Sequence, residues 1–399
     1  MDLYSGYPFW LLKDGLLFSY PKLKKNTNVD VTIIGAGISG ALSAYYLSKT
    51  GLSCLIVDKA IAGLGSTCAS TSLIQYELDI PLYKLSGKIG YTKAQRIYNL
   101  CYEAIDELNL IAEKINFKGF EKAKSLYFAA NKKDIYLLEK EFANRKKSDF
   151  KVKWLDHKDV FHKYGIHAPA ALLSEQGGSM DAYEFTHALL RYCIEKKLSV
   201  YERTEITAIE QQKESIELRT ADGFRIKSRY VINASGYEAA KALPKDLVKF
   251  YSTYAVVSEP LDKGKMLKKK YIAWNTASPY LYFRTTNDNR IIVGGRDEPF
   301  ISEKKMQRLN HTKTKLLAND FKQLFPAVHF IPEFSWSGVF VVSKDSLPYI
   351  GCYKNSKNIF YALGFGGNGI TFSAIAGRII RNMILEKRDS NSSLFSFDR

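Results

Sequence analysis

Three rhythms of apolar and polar positions run along this chain. Near the start, Asp30-VTII is a short β-branched run, Ser39 to Thr50 keeps small and apolar residues at helical spacing, and Ser53 to Val57 (SCLIV) is a second apolar run. Together they predict a compact strand–helix–strand unit. From Tyr91 to Asn116, Ala94, Ile97, Cys101, Ala104, Leu108, Ile111 and Ile115 recur at steps of three, four or seven residues, which predicts a long helix with one buried stripe. SLYFAA at Ser125 to Ala130 reads as a strand before a charged helical stretch, and Tyr183 to Lys197 reads as a helix with Phe185, Leu189, Tyr192 and Cys193 on one side. Short strands follow at Ser199-VYE, Ile206-TAI, Ser215-IELR and Tyr230-VIN. From Tyr251 to Gly295 the chain turns strand-rich and aromatic (YAVVSE, YIAWN, YLYFR, RIIVGG). A charged helical piece at Glu303 to Phe325, a β run from Phe334 to Ser343, a strand at Asn358 to Leu363, a glycine cluster and a helix to about Glu386 close the chain.

Strand–helix–strand features therefore sit at both ends and in the middle, with antiparallel-looking aromatic strands between them. That order implies an α/β fold (α+β overall), with a nucleotide domain assembled from separated segments and a substrate domain made from the insertions. The expected division is an aromatic N-terminal extension at 1–29, a nucleotide domain at 30–90, 151–240 and 344–390, and a substrate domain at 91–150 and 241–343. At 399 residues the chain has room for two cores, since domains settle at roughly 100 to 200 residues.

The leader carries Tyr4, Tyr7, Phe9, Trp10, Phe18 and Tyr20 and is expected to pack on the body, a membrane-surface or partner-docking role being the alternative. It has no basic residues before its apolar run, and Asp14 interrupts that run, so no secretory signal is expected. No stretch reaches the ~18 apolar residues of a transmembrane helix. Five scattered cysteines (Cys54, Cys68, Cys101, Cys193, Cys352) form no CxxC pair, which argues against a disulfide framework or a metal site and suits a cytoplasmic protein. The net charge of +17 is spread out, with only short clusters at Lys22 to Lys25 and Lys268 to Lys270. It reads as a lysine-rich solvated surface; no RNP-type pattern appears, and a nucleic-acid partner is not expected.

Gly35, Gly37 and Gly40 fall where the first strand turns into a helix. They permit the tight turn, close approach of a pyrophosphate, and close packing of helix on sheet. The helix then opens at Ile38 and Ser39 with unpaired N–H groups facing an anion. Asp58, followed by Lys59, ends the second strand where a carboxylate takes ribose hydroxyls and disfavours a 2′-phosphate, so NADP fits worst. The segment Gly63 to Glu77 is rich in small hydroxyl residues and reads as a loop covering a cofactor through Gly65, Ser66, Thr67, Ser70 and Thr71; Ala234, Ser235 and Gly236 form another strand end stripped of bulk. Gly364, Gly366, Gly367, Asn368 and Gly369 precede a helix that begins with Ile370 and Thr371. Four glycines exceed what a turn needs, and a helix N-terminus stabilises negative charge of the kind a reduced flavin develops. An NAD enzyme has no comparable need.

Taken together, GAGISG with Asp58, the GST..ST loop, NASG, the Arg290-IIVGG strand, Asp345-SLPYIG and GFGGNGITF resemble the D-amino acid oxidase, glycine oxidase and sarcosine oxidase superfamily of FAD-dependent oxidoreductases. The resemblance implies a glutathione-reductase-type FAD-binding Rossmann domain, discontinuous, with an inserted mixed-sheet substrate domain. It also implies hydride transfer from a C–H beside nitrogen to flavin N5, giving an imine that water hydrolyses. FAD is expected to be noncovalent, because Cys352 follows the turn that the flavin-linking cysteine of sarcosine oxidases precedes. Three positions depart from the family pattern: Thr371 and Gln75 stand where relatives place basic residues, and Gly338 to Val342 lacks the arginine of glycine oxidases.

With those clamps missing, Arg284 is the expected anion contact, sharing a strand face with Tyr280 and Tyr282. Tyr254, Trp274 and Trp336 are candidates for an aromatic pocket, Gln75 and Glu77 for orienting substrate, and Arg296 and Lys344 are further candidates. The reading is an FAD-dependent oxidoreductase for an amine or amino-acid-like substrate, with oxygen or a carrier as electron acceptor. A flavoprotein acting on modified tRNA bases and a non-catalytic FAD-binding protein are the alternatives.

Overall fold

The computed structural model describes residues 4–244, 247–262, 271–354 and 356–399; the Lys268 to Lys270 cluster lies outside them. Runs dense in β-branched residues pair first with their neighbours in the nucleotide domain. Thr27–Ile34 lies parallel between Cys54–Val57 and Arg225–Asn233, with Ser199–Tyr201 beyond Cys54–Val57 and Ile359–Leu363 parallel to the end of Arg225–Asn233. Ile206–Gln211, Ile216–Thr220 and Tyr349–Cys352 complete an eight-stranded sheet. Helices Ile38–Leu47, Ala182–Glu195 and Gly369–Ile384 pack together beside it around Leu42, Ala44, Leu189, Ile375 and Ile379.

The second sheet has nine strands, in the order Tyr4–Gly6, Pro332–Ser343, Val248–Ser258, Ile291–Pro299, Tyr282–Thr285, Tyr271–Asn275, Lys124–Phe128, Ala170–Ser174 and Val152–Asp156. It is mixed: Lys124–Phe128 runs parallel to Tyr271–Asn275, while the other neighbours are antiparallel. Helix Glu303–Leu324 covers it through Met306, Leu317 and Phe321.

Two of the expected boundaries need correction. Tyr91–Lys114, expected in the inserted domain, has its apolar stripe buried in the same core as Gly369–Ile384. Val152–Asp156 and Ala170–Ser174, expected in the nucleotide domain, are strands of the nine-stranded sheet. Chain order does not decide either placement, because a buried stripe does not specify which core it enters.

The leader is no separate unit. Tyr4–Gly6 adds an edge strand beside Pro332–Ser343, and Phe9 and Trp10 are buried. Tyr20 stacks on His187 at 5.8 Å between centroids, and its hydroxyl meets His187 Nδ1 at 3.0 Å. Burial lowers the His187 pKa from 6.5 to about 4, against the raising effects of the Ala62 backbone and Glu202. The unfolded chain thus takes up this proton first, so stability from the neutral ring is intact above the unfolded value and is lost as pH falls toward the folded one. His187→Gln is expected to flatten the fall in melting temperature over that window; an unchanged acid limb would show that His187 does not set it.

Candidate active site

Between the two sheets lies a cleft of about 1070 Å³ lined by residues of both. One end is built by the first strand–helix turn. Gly35 has φ +106°, and a Cβ on Gly40 would overlap the Gly35 carbonyl oxygen, so helix Ile38–Leu47 sits directly on the turn. Its N-cap is Gly37 and no side chain caps it in the usual way; Thr67 Oγ1 instead accepts from the Ile38 N–H at 3.0 Å. Asp58 accepts N–H groups from Ala36 (2.7 Å) and Ala60 (2.8 Å). Burial raises its pKa and those two bonds oppose the shift. A carboxylate offers about four lone-pair positions, so Asp58 is fixed in place with acceptor capacity left for a diol. Lys59 beside it is paired with Glu238 at 2.7 Å.

At the other end, helix Gly369–Ile384 begins at the cleft with neither a side-chain cap nor an acidic residue in its first turn. Asn368 Nδ2 donates instead to the carbonyls of Gln75 (3.2 Å) and Glu77 (2.8 Å), and Thr371 Oγ1 donates to the Gln75 carbonyl at 3.3 Å. Asp79 takes the Gly367 N–H at 2.8 Å and the Tyr280 hydroxyl at 3.0 Å. The segment from Gln75 to Asp79 is thereby laced to the helix start, whose remaining first-turn N–H groups have no partner within the helix.

Gln75, Asp79, Thr253, Tyr280, Tyr282 and Asp297 line this end. Gly294 leaves room for the Tyr282 ring to lie flat on its strand; burial raises the Tyr282 pKa, and the neighbouring Thr253 and Thr71 hydroxyls oppose the shift. Asp297 is half-buried, but its Oδ1 is fully buried without a hydrogen-bond partner. Burial pushes its pKa up to about 7; the Thr253 hydroxyl opposes this, the Asp79 charge adds to it, and Lys313 opposes it. Burial also raises the Asp79 pKa. Among the described residues lining the cleft, the only lysine or arginine side chains are Lys59 and Arg203, both beside Asp58 at the nucleotide end.

Every residue expected at the cofactor lines this cleft except Gly40, which lies beneath the helix. Of the substrate candidates, Gln75 and Tyr282 line it; Glu77, Tyr254, Trp336 and Arg284 do not. Arg284 has the expected strand position, but its guanidinium is buried and spent on the carbonyls of Thr71 (2.7 Å), Met180 (2.9 Å) and Thr285 (3.2 Å). Trp336 Nε1 and Trp10 Nε1 likewise donate to the carbonyls of Ala69 (2.8 Å) and Ser70 (2.7 Å). These three side chains fasten the small-residue loop from behind. Tyr254 donates to Glu298, Trp274 stacks on Tyr127, and Glu77 is buried against Arg145. Arg296 is paired with Asp320, and neither it nor Lys344 lines the cleft. Asp79, Thr253 and Asp297 were missed; the available signals were an acidic residue between Leu78 and Ile80 and another directly after RIIVGGR, while Thr253 carried none.

The profile of the FAD dependent oxidoreductase family matches residues 30–383. The chain belongs to that family. This FAD-dependent oxidoreductase is 21% identical to the oxidoreductase OrdL of Haemophilus influenzae over 95% of its own length and 88% of that protein. It is 22% identical to the gamma-glutamylputrescine oxidoreductase of Escherichia coli over 92% of its length and 85% of that protein. The crystal structure of glycine oxidase from Geobacillus kaustophilus superposes with a TM-score of 0.77 at 19% identity, covering 92% of this chain and 96% of that one, so the fold is shared. The residues present fit FAD. Two helix N-termini open on one long cleft, that of Gly369–Ile384 with no side-chain cap and that of Ile38–Leu47 with only its Ile38 N–H taken, by Thr67; a carboxylate stands at the end of the second strand, and small residues keep the walls between them thin.

Proposed function

We propose that this protein oxidises a C–N bond of an amine or amino-acid-like substrate, with FAD bound noncovalently along the cleft and oxygen or a carrier accepting the electrons afterwards. The observation that carries this reading is the juxtaposition of the open N-terminus of Gly369–Ile384 with a pocket of hydroxyls and carboxylates from the second sheet. FAD, when bound, supplies the two-electron acceptor for a hydride. The chain's own residues do the rest. Asp58 would hold the adenosine ribose, the start of Ile38–Leu47 the pyrophosphate, and the start of Gly369–Ile384 would stabilise negative charge arising at the redox end. Tyr280 and Tyr282 wall the pocket and exclude water, and Gln75 offers an amide to orient substrate.

In the substrate, a C–H bond beside nitrogen breaks with its electron pair, the nitrogen lone pair closes the C=N bond, and water later hydrolyses the imine to a carbonyl compound and an amine. Relatives named for gamma-glutamylputrescine and for glycine support a nitrogen-bearing substrate. The purified protein is expected to be yellow and to release its flavin on acid precipitation. Under anaerobic conditions the visible bands should bleach with an amine or amino acid; bleaching only by hydroxy acids or glycerol phosphate would overturn the reading.

A further inference from the structure

We propose that Trp10 of the N-terminal leader is a positioning residue for the flavin: its indole N–H holds the Ser70–Thr71 peptide so that Thr71 N–H is presented to FAD at the redox end of the cleft. The inference goes beyond the C–N oxidation reading. It rests on FAD occupying the cleft and is independent of the substrate.

The starting point is one peptide unit. Ser70 and Thr71 line the cleft, whereas Trp10 does not. The Ser70 carbonyl accepts the Trp10 indole N–H at 2.7 Å. In a planar trans peptide, as this one is, the C=O and the following N–H point in opposite directions. A carbonyl drawn back onto Trp10 therefore turns Thr71 N–H forward, toward the cleft. The neighbouring donors of the loop are engaged within it: Ser70 N–H bonds the Thr67 carbonyl at 3.2 Å, and Ser72 N–H bonds Ser70 Oγ at 3.1 Å. Among the described residues none accepts from Thr71 N–H. Backbone donors without a partner are rare in folded proteins, and this one faces a cleft that fits a cofactor. Thr71 also neighbours Tyr282, whose raised pKa its hydroxyl opposes, which puts the donor at the redox end.

The second observation is how firmly Trp10 is held and what else rests on it. It is buried in the short helix Phe9–Asp14, where Lys13 pairs with Asp181, the N-cap of Ala182–Glu195, at 3.4 Å. The Gly15 carbonyl then accepts the Tyr183 hydroxyl at 3.2 Å. The Arg284 guanidinium lies 5.1 Å from the Trp10 ring centroid, a distance at which the ring face attracts a cation, and Arg284 Nε donates to the Thr71 carbonyl at 2.7 Å. With Trp336 Nε1 on the Ala69 carbonyl at 2.8 Å, three successive carbonyls are drawn away from the cleft. Trp10 holds the middle one directly and supports the donor to the third.

A fixed N–H aimed at the flavin stabilises the electron-rich reduced form more than the oxidised one, and needs no reorganisation when charge arrives. Without the indole N–H the Ser70 carbonyl loses its partner, the peptide turns toward other donors, and the Thr71 N–H is withdrawn.

The test compares Trp10→Phe with Tyr20→Phe in the FAD-loaded protein. The first keeps a ring against Arg284 and loses the N–H; the second also removes one leader hydrogen bond, to His187 Nδ1, far from the 70–71 peptide. Melting temperature, FAD dissociation constant, visible spectrum and midpoint potential are read for both. Trp10→Phe is expected to weaken FAD about tenfold, the loss of one good hydrogen bond, to shift the flavin bands and to make the potential more negative. Tyr20→Phe should lower the melting temperature and leave the other three readings unchanged. An unaltered spectrum and potential in Trp10→Phe would overturn the proposal even if that variant melts earlier, because the leader would then be structural only. Equal flavin changes in the two variants would overturn it as well. Should Trp10→Phe fail to fold, hydrogen exchange of the unaltered protein decides: FAD should slow exchange at residues 9–16 relative to the flavin-stripped protein, and equal rates overturn the proposal. No reading uses a substrate, so the result stands whether or not amines bleach the flavin.

Discussion

Replacing Arg145 by leucine is expected to destabilise the protein by about 3 to 5 kcal/mol, the usual cost of stripping one partner from a buried ion pair. Arg145 is fully buried, with Nε on Glu141 Oε1 at 2.8 Å and Nη1 on Glu77 Oε1 at 3.1 Å, and both carboxylates are equally buried. Tyr76 and Tyr127 lie beside the guanidinium at 5.6 and 5.8 Å from their ring centroids. Removal would leave two buried carboxylates facing each other. Burial already raises the Glu77 pKa, and Arg145 is the main influence opposing it. The damage should reach the active site, because Glu141 also accepts the N–H groups of Leu82 and Tyr83 at 3.1 Å each, while the Glu77 carbonyl receives Asn368 Nδ2. Gln75 and Asp79, on either side of Glu77, would lose their footing. Urea unfolding of the FAD-loaded protein measures the effect. The double variant Arg145→Leu with Glu77→Leu should recover part of the loss, since an apolar replacement removes one stranded charge; a loss below about 1 kcal/mol in the single variant would mean the pair behaves like a surface one.

How much of this was legible depended on range. The strand–helix–strand unit with Gly35, Gly37, Gly40 and Asp58 is local, and each spacing carries its own steric reason. The cluster at Gly364 to Gly369 was equally readable, because a helix start stripped of side chains has few other uses. The division between the sheets was hidden: Lys124–Phe128 pairs with Tyr271–Asn275, and the pattern of neither strand names the other. Arg284 shows a subtler limit. Strand alternation gave its face, but the carbonyls of Thr71 and Met180 from distant segments, with that of neighbouring Thr285, take up its donors away from the cleft. Asp79 and Asp297 were obscured because a carboxylate set between Leu78 and Ile80 looks like a turn, and one flanked by Arg296 and Glu298 looks like part of a charged strand end, until the fold lines one cleft with both.

The second large effect is expected at Gly40. Gly40→Val should yield a protein purified with little or no flavin, its FAD affinity reduced roughly 100-fold or more, as displacement of a binding group by about 1 Å can produce. A Cβ at Gly40 would overlap the Gly35 carbonyl oxygen, and the turn has nowhere to retreat. Gly35 donates its N–H to the Val57 carbonyl at 2.8 Å, and on its other side the Ala234 carbonyl oxygen lies 2.5 Å from where its own Cβ would stand. Helix Ile38–Leu47 must therefore lift off strand Thr27–Ile34. That motion carries away the N–H groups at the helix start and disturbs its packing against Gly369–Ile384, which presents the other end of the cleft. Overpacking of this kind costs about 1 to 3 kcal/mol, so the variant should still fold, and calorimetry can separate the loss of cofactor from the loss of structure. Gly87→Ala provides the contrast: the residue is exposed in helix Leu82–Ile89 with open space around a Cβ, so it should gain about 0.5 to 1 kcal/mol and keep its flavin. If Gly40→Val retains a full complement of FAD, the cofactor does not depend on the contact between this helix and the turn, and the pyrophosphate must be held elsewhere in the cleft.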